Sequence, residues 1–276
     1  MNPTSPTEAG PHAATRHGRL LLIPNTLDLG CLDAQADAPD LREVLPLGAI
    51  RAAARLTHWV AENAKTTRAF LKRVHAIEPL AASLQSQSIQ ELPRPAKGGA
   101  AAGKRPGEGD AALRALLAPA LQGHDVGLIS EAGLPGVADP GAALVLAAHR
   151  LGITVCPLSG PSSLVLALAA SGLHGQSFAF VGYLPQDATQ RAQRIRELET
   201  LSRKAHQTQL VIETPYRNPA MWQALLQHLQ ATTLLSVSCG LTVEDGFSRT
   251  DTVANWRHQA LTLPTHIPAV FAWLAV

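Results

Sequence analysis

Two segments carry residue types and spacings able to grip a charged small molecule. The first, Ser130-Glu131-Ala132-Gly133-Leu134-Pro135-Gly136-Val137-Ala138-Asp139-Pro140-Gly141, follows the apolar run Val126 to Ser130. It holds three glycines, two prolines and two carboxylates in twelve residues. Glycine has no Cβ, so such a loop lets backbone N–H groups approach a ligand closely. A strand–helix connection usually needs only about two to six residues, and the extra length is the mark of a functional loop. The second segment, Ser159-Gly160-Pro161-Ser162-Ser163, offers hydroxyls and free amides at the start of an apolar helix, and it reads equally as a plain capped turn. Asp139 is read first as the N-cap of the helix that follows, with Pro140 in its first turn.

Other chemistries fail on spacing. Gly98-Gly99-Ala100-Ala101-Ala102-Gly103-Lys104 spells the front of a phosphate-binding P-loop, but Arg105 stands where the magnesium-ligating Ser or Thr belongs. Pro93-Arg94-Pro95 also forbids the central strand that should precede it. Leu164 occupies the last glycine of a nucleophile elbow, and no G-x-G-x-x-G dinucleotide signature is present. Cys31, Cys156 and Cys239 follow no metal or redox spacing, so no metal site is expected, and three scattered cysteines fit a reducing cytoplasm.

The elements that must position the two segments are short apolar runs alternating with helical ones. Strands are expected at Arg19 to Ile23, Thr57 to Glu62, Val126 to Ser130, Ile153 to Cys156, Phe178 to Gly182, Gln209 to Glu213 and Leu234 to Ser238, with Ala269 to Leu274 closing a sheet. Helices are expected at Ala49 to Leu56, Thr67 to Val74, Ala111 to Leu121, Ala142 to Leu151, Pro161 to Ser171, Asp187 to Ala205 and Pro219 to Leu229. The helix from Ala142 is apolar nearly all round and is expected to be buried. This alternation implies an α/β fold: two α/β domains with largely parallel sheets. The expected division is a disordered tail over 1–17, an N-terminal domain over 18–172 and a C-terminal domain over 173–276. Ser83 to Asp110 is rich in Pro and Gly, almost lacks large apolar residues and is expected to be a mobile loop.

The 276 residues are 46% hydrophobic and 16% charged with net charge +2, which excludes wholesale disorder and any global field for nucleic acid or anionic lipid. The longest apolar run, Leu164 to Ala170, falls far short of the roughly 18 residues of a membrane span, so no membrane partner is expected. The helix from Asp187 carries Arg191, Arg194, Arg196, Arg203 and Lys204. They read as an ordinary solvated face, or else as a stripe for RNA phosphates.

Taken in order, these segments resemble the tetrapyrrole methylase superfamily of S-adenosylmethionine-dependent methyltransferases, and within it the branch that 2′-O-methylates a cytidine of small-subunit ribosomal RNA. That branch's S-D-A-G-x-P-x-x-x-D-P-G is met by Ser130, Ala132, Gly133, Pro135, Asp139, Pro140 and Gly141, with Glu131 for the aspartate. Its P-x-x-G-P-S is met by Pro157, Gly160, Pro161 and Ser162, its G-[FY]-L-P by Gly182 to Pro185, and its E-x-P-x-R by Glu213, Pro215 and Arg217. The chain departs at Asp28, where the branch has a glycine in the loop Pro24 to Gly30. It departs again at Asn63 to Thr66, where one carboxylate of the branch's acidic segment is lost, and at Cys239 to Val243, where both charged ends are gone.

The resemblance implies S-adenosyl-L-methionine held in a cleft between two domains, in a cytoplasmic homodimer, with rRNA as substrate. It implies cofactor contacts from Ser130, Glu131, Ala132, Gly133, Val137, Ser162 and Ser163, with Tyr183, Leu184, Glu213 and Thr214 on the other wall. A hydroxyl acceptor also wants a general base, and Glu62 and Lys65 at a strand end are the candidates, against a reading as solvated loop charges. Two alternatives remain open: a tetrapyrrole or small-molecule methyltransferase, and a non-catalytic cofactor-binding relative.

Overall fold

The computed structural model describes residues 17–28, 39–93 and 108–276. All but His17 of the expected 1–17 tail, Cys31, and residues 94–107 of the expected loop, with the P-loop-like residues 98–105 among them, lie outside the described residues. The first sheet is built from β1 (Arg19–Ile23), β2 (His58–Ala61), β3 (Ser88–Glu91), β4 (Val126–Ile129) and β5 (Thr154–Pro157). They lie in the order β3-β2-β4-β1-β5 with every pairing parallel. β4 is buried along its whole length, as a continuous apolar run in a parallel sheet must be.

Helices α1 (Leu47–Arg55) and α2 (Ala64–His75) cover one face of this sheet. α1 turns Ala49, Ile50, Ala53 and Ala54 inward. Asn63 caps α2 by accepting the N–H groups of Lys65 at 2.9 Å and Thr66 at 3.4 Å, while Lys72, Arg73 and His75 complement the dipole in its last turn. The other face is covered by α3 (Glu108–Leu116), α4 (Ala118–Leu121) and α5 (Ala142–Arg150). Two expectations need correction here. Ser83 to Asp110 is not simply a loop, because it contains the edge strand β3 and the start of α3. α5 is not buried all round; it inserts Leu144 and Ala148 and leaves Leu146 exposed.

The second sheet is built from β6 (Phe178–Phe180), β7 (Thr208–Glu213), β8 (Leu234–Cys239), β9 (Phe247–Thr252) and β10 (Ala269–Leu274), in the order β6-β7-β10-β8-β9. Only β6 and β7 are parallel; the β7–β10, β10–β8 and β8–β9 pairings are antiparallel. The parallel expectation therefore holds for the first sheet and is corrected for the second. A short connection over 240–246 returns β9 against β8 as a hairpin, and β10 enters between β7 and β8 rather than at an edge.

Between these strands run α7 (Ala188–Ala205), α8 (Asn218–His228) and α9 (Val253–Trp256), which pack Ile195, Leu198, Trp222 and Trp256 against Val211, Phe271 and Trp273. Trp222 meets Trp256 edge-on with ring centroids 5.1 Å apart. The opposite face of the second sheet is covered by α6 (Ser163–Ser171), whose Leu164, Ala167 and Leu168 pack on Leu210, Val270 and Ala272. α6 thus follows a strand of the first sheet and lies on the second, which carries its N-terminus to the junction of the two.

Candidate functional site

In the first sheet the chain leaves β1 for β2 beyond β4, and leaves β4 for β5 beyond β1. The strand order reverses there, and the crevice at the carboxyl ends of β1 and β4 is where ligands bind in open α/β sheets. The two loops at that point are stitched together. The Asn25 N–H donates to the Gly133 carbonyl at 2.8 Å, and Asn25 Nδ2 donates to the carbonyls of Ser130 at 3.1 Å and Glu131 at 3.0 Å. Gly133 sits at φ +66° within this turn. Gly160 presses on Pro24 so closely that a Cβ there would come within 2.1 Å of the proline ring.

A pocket opens between this edge and the second sheet. Leu27, Ala132, Gly133, Val137 and Asp139 line it on one side, Ser162 and Ser163 at the start of α6 form its floor, and Tyr183, Ile212, Glu213, Leu241 and Val270 complete the other side. Of the residues expected from sequence, Ala132, Gly133, Val137, Ser162, Ser163, Tyr183 and Glu213 come together here.

The rest are placed differently. Ser130 is buried beneath the turn, and its Oγ donates to the Ala132 carbonyl at 3.0 Å. Glu131 lines a separate small hollow with Asn25, Thr26, Asp28 and Arg73. Leu184 belongs to the core of the second sheet rather than to the pocket wall. Thr214 acts through its neighbour: its N–H and Oγ1 donate to Glu213 Oε1 at 2.8 and 3.2 Å. Lys65 is exposed on the first turn of α2 and does not line the pocket. Glu62 is half-buried at the end of β2, where its Oε2 accepts the Glu131 N–H at 3.2 Å.

Asp28 also departs from expectation. Its carboxylate is buried and turned toward α2, where it pairs with Arg73 at 2.9 Å and accepts the Thr26 hydroxyl. Arg73 further donates to the Pro39 carbonyl at 2.8 Å. The residue of this loop that meets the pocket is Leu27.

Asp139 is not a helix cap. Gly141, at φ +136°, takes the N-cap of α5, and no side chain caps that helix. The Asp139 carboxyl lines the pocket instead, and its pKa is pushed up to about 6 by burial, then by the charges of Glu62 and Glu131, with the Ser130 hydroxyl acting the other way. The Tyr183 phenol is raised by burial and by Asp139, Glu213 and Glu62. Glu213 is itself buried and paired with Arg217 at 3.0 Å. Sequence reasoning also missed Ser238, Gly240, Ala269 and Val270, whose residue types carry no chemical signal and which reach the pocket only through the placement of β8 and β10.

On α7 the basic residues are largely engaged. Arg191 donates to the Gln186 carbonyl at 2.9 Å, Arg194 pairs with Glu197 at 3.2 Å, and Arg196 meets His228 at 3.4 Å. This is the solvated face of an amphipathic helix, with Asp187 as its N-cap.

The residues of the pocket fit an adenosyl amino-acid sulfonium compound. The start of α6 presents backbone amides to a carboxylate, and the Ser162 side chain makes no cap bond that would occupy them. Leu27, Val137, Ile212 and Val270 provide apolar surface for an adenine, while Glu213 supplies an acceptor for its ribose hydroxyls.

No described helix is long and apolar enough to cross a membrane. Among known proteins, the ribosomal RNA small subunit methyltransferase I of Halalkalibacterium halodurans is 41% identical over 102 residues, 37% of this chain and 34% of its own length. The protein of the same name from Vibrio cholerae is 38% identical over 102 residues, again 37% and 34%, and that from Synechocystis sp. is 35% identical over 127 residues, 46% and 44%. The matched stretch spans between a third and a half of these curated relatives. Among solved structures, the uroporphyrin-III-C-methyltransferase from Thermus thermophilus aligns with a TM-score of 0.47 and 18% identity over 93% of this chain and 92% of its own. The family model described as Tetrapyrrole (Corrin/Porphyrin) Methylases matches residues 41–255, and the chain belongs to that family.

Proposed function

We propose that the chain is an S-adenosylmethionine-dependent methyltransferase that methylates a hydroxyl of small-subunit ribosomal RNA. The observation that carries this reading is the pocket itself, with the α6 amides at its floor, two acidic side chains and an apolar wall gathered from both sheets. Relatives named for small-subunit rRNA methylation support the acceptor. So do the chain's two tyrosines, Tyr183 and Tyr216, which are 57% and 72% exposed on the segments following β6 and β7. Exposed aromatic faces beside a pocket are surfaces on which unpaired bases stack. A homodimer and a cytoplasmic location complete the reading, supported by the family resemblance.

When bound, the cofactor supplies an already electrophilic methyl group, so the protein's task is to align it with the acceptor and exclude water. Ser162, Ser163 and the α6 amides would hold its carboxylate end. Glu213, held by Arg217 and Thr214, would take its hydroxyls. Leu27 and Val270 would shield the pocket from solvent.

Titration calorimetry with S-adenosylhomocysteine, followed by labelled methyl transfer from S-adenosylmethionine to small-subunit rRNA, tests the reading. Saturable binding and label in the rRNA are expected. No binding at millimolar ligand overturns the cofactor, and binding without label in rRNA overturns the acceptor.

A further inference from the structure

We propose that the Asp139 carboxylate is the general base that takes the proton from the acceptor hydroxyl, an inference that rests on the methyltransferase reading above. Asp139 is the acidic residue of its loop that lines the pocket. Glu62 and Glu131 flank it from the ends of β2 and β4 without lining the pocket, and Glu62 is engaged by the Glu131 N–H. Glu213 lines the pocket too, but its Oε2 is paired with Arg217 and its Oε1 accepts both donors of Thr214, so both oxygens are taken by protein partners.

The local backbone is shaped for Asp139 to face the pocket rather than the helix. Ala138 sits at φ +65°, a left-handed conformation that a residue with a Cβ rarely adopts. Gly141 takes over the cap of α5, so the carboxylate makes no bond to the helix start. An alanine held in this region beside a pocket-lining acid is strain kept at a site of use.

The surroundings give this carboxylate the proton affinity a base requires. The ionisable groups acting on it are Glu62 from β2 and Glu131 from the β4 loop, with Tyr183 facing it from the segment after β6 and Glu213 reaching Tyr183 from β7. Burial and the two neighbouring carboxylates raise its pKa to about 6, so at neutral pH it is ionised yet a far better proton acceptor than an exposed aspartate. In the step, the acceptor O–H bond breaks and its proton passes to Asp139. The oxygen forms a bond to the donor's methyl carbon, and the sulfur–methyl bond breaks with its electron pair left on sulfur. The products are a methyl ether, a neutral thioether and a protonated Asp139. The raised Tyr183 phenol stays protonated and available as a hydrogen-bond donor across the pocket.

The test combines three readouts on the full chain. Carbon-13 NMR of the Asp139 carboxyl is expected to titrate near pH 6, and in the Glu62→Gln variant at a lower pH, because one repelling charge is gone. Titration at an ordinary aspartate value overturns the proposal without using activity. Asp139→Asn is expected to lower kcat for transfer to rRNA by about 100-fold or more while binding S-adenosylhomocysteine within about threefold of wild type. Full transfer by Asp139→Asn overturns the proposal, and so does a loss of transfer matched by a loss of S-adenosylhomocysteine binding, which would make Asp139 a cofactor anchor. Should Asp139→Asn fail to fold, the wild-type kcat decides: it must rise about tenfold per pH unit below the carboxyl's pKa and level off above it. Wild-type protein that binds S-adenosylhomocysteine but labels no rRNA overturns the acceptor reading and this proposal together. A wild type that labels rRNA with a flat acid limb overturns the proposal alone.

Discussion

Gly160 and Pro24 are in such close contact that a Cβ on Gly160 would lie 2.1 Å from the Cβ of the proline. The contact locks the loop after β5 onto the loop after β1, and both loops border the pocket. Gly160→Ala must push Pro24 away, and overpacking of this kind costs about 1–3 kcal/mol. The expected outcome is a lower midpoint in urea together with weaker S-adenosylhomocysteine binding by calorimetry. Unchanged values for both would show that the loops move apart freely.

Arg217→Ala leaves Glu213 buried without its cation. Removing one partner of a buried pair costs about 3–5 kcal/mol, and Arg217 keeps some exposure, so the lower end is expected. Arg217→Lys recovers only part of this, because an ammonium does not reproduce the guanidinium fork. Chemical denaturation of the two variants checks the order wild type, Lys, Ala.

Arg73→Met unties Asp28, Thr26 and Pro39 at one stroke. The expected loss is about 3 kcal/mol, since Asp28 is left buried and unpaired. The double variant Asp28→Ala/Arg73→Met should be more stable than Arg73→Met alone, and a denaturation series over the four proteins measures the coupling. Leu27 adjoins this knot and lines the pocket, so Arg73→Met should also weaken S-adenosylhomocysteine binding.

Asp139 gives a pH dependence of known sign. Its folded pKa of about 6 lies above the ordinary value of 3.8, so folding favours the protonated form. Below about pH 4 the residue is protonated in both states and costs nothing; as pH rises to 6 the cost of ionising it in the fold appears, and above 6 it is fully present. Asp139→Asn is therefore expected to melt higher than wild type at about pH 8, with the difference vanishing toward about pH 4. A variant less stable at both pH values would mean that the carboxylate holds structure that the amide does not.

The first sheet was legible in the sequence because each buried parallel strand is a short unbroken apolar run, as at Leu20 to Ile23 and Val126 to Ile129. β3 was hidden because Ser88-Ile89-Gln90-Glu91 is an edge strand with a single apolar residue in a Pro- and Gly-rich neighbourhood. β9 was hidden for a related reason: Phe247 to Thr252 is a polar edge strand recognisable only once Gly240 and Gly246 are seen to close a hairpin. The direction of β10 is not written in its apolar pattern, which reads alike in parallel and antiparallel pairings. Asp139 misled because Asp-Pro before an apolar run matches a helix start. The deciding fact was Gly141, whose φ of +136° takes the cap in a conformation that aspartate does not adopt. Leu184 misled because a motif position names a residue without saying whether backbone or side chain faces the ligand.

The placement of β10 governs when the pocket can exist during biosynthesis. All strands of the first sheet have been made once residue 157 has emerged, whereas the middle of the second waits for residues 269–274, which lie between β7 and β8. Ala269 and Val270 are also pocket wall. A polypeptide cut short before those residues therefore has one complete sheet and one lacking its central strand, and it lacks that wall of the binding cavity. Its exposed β7 and β8 edges would be open to pairing with other chains or to a protease.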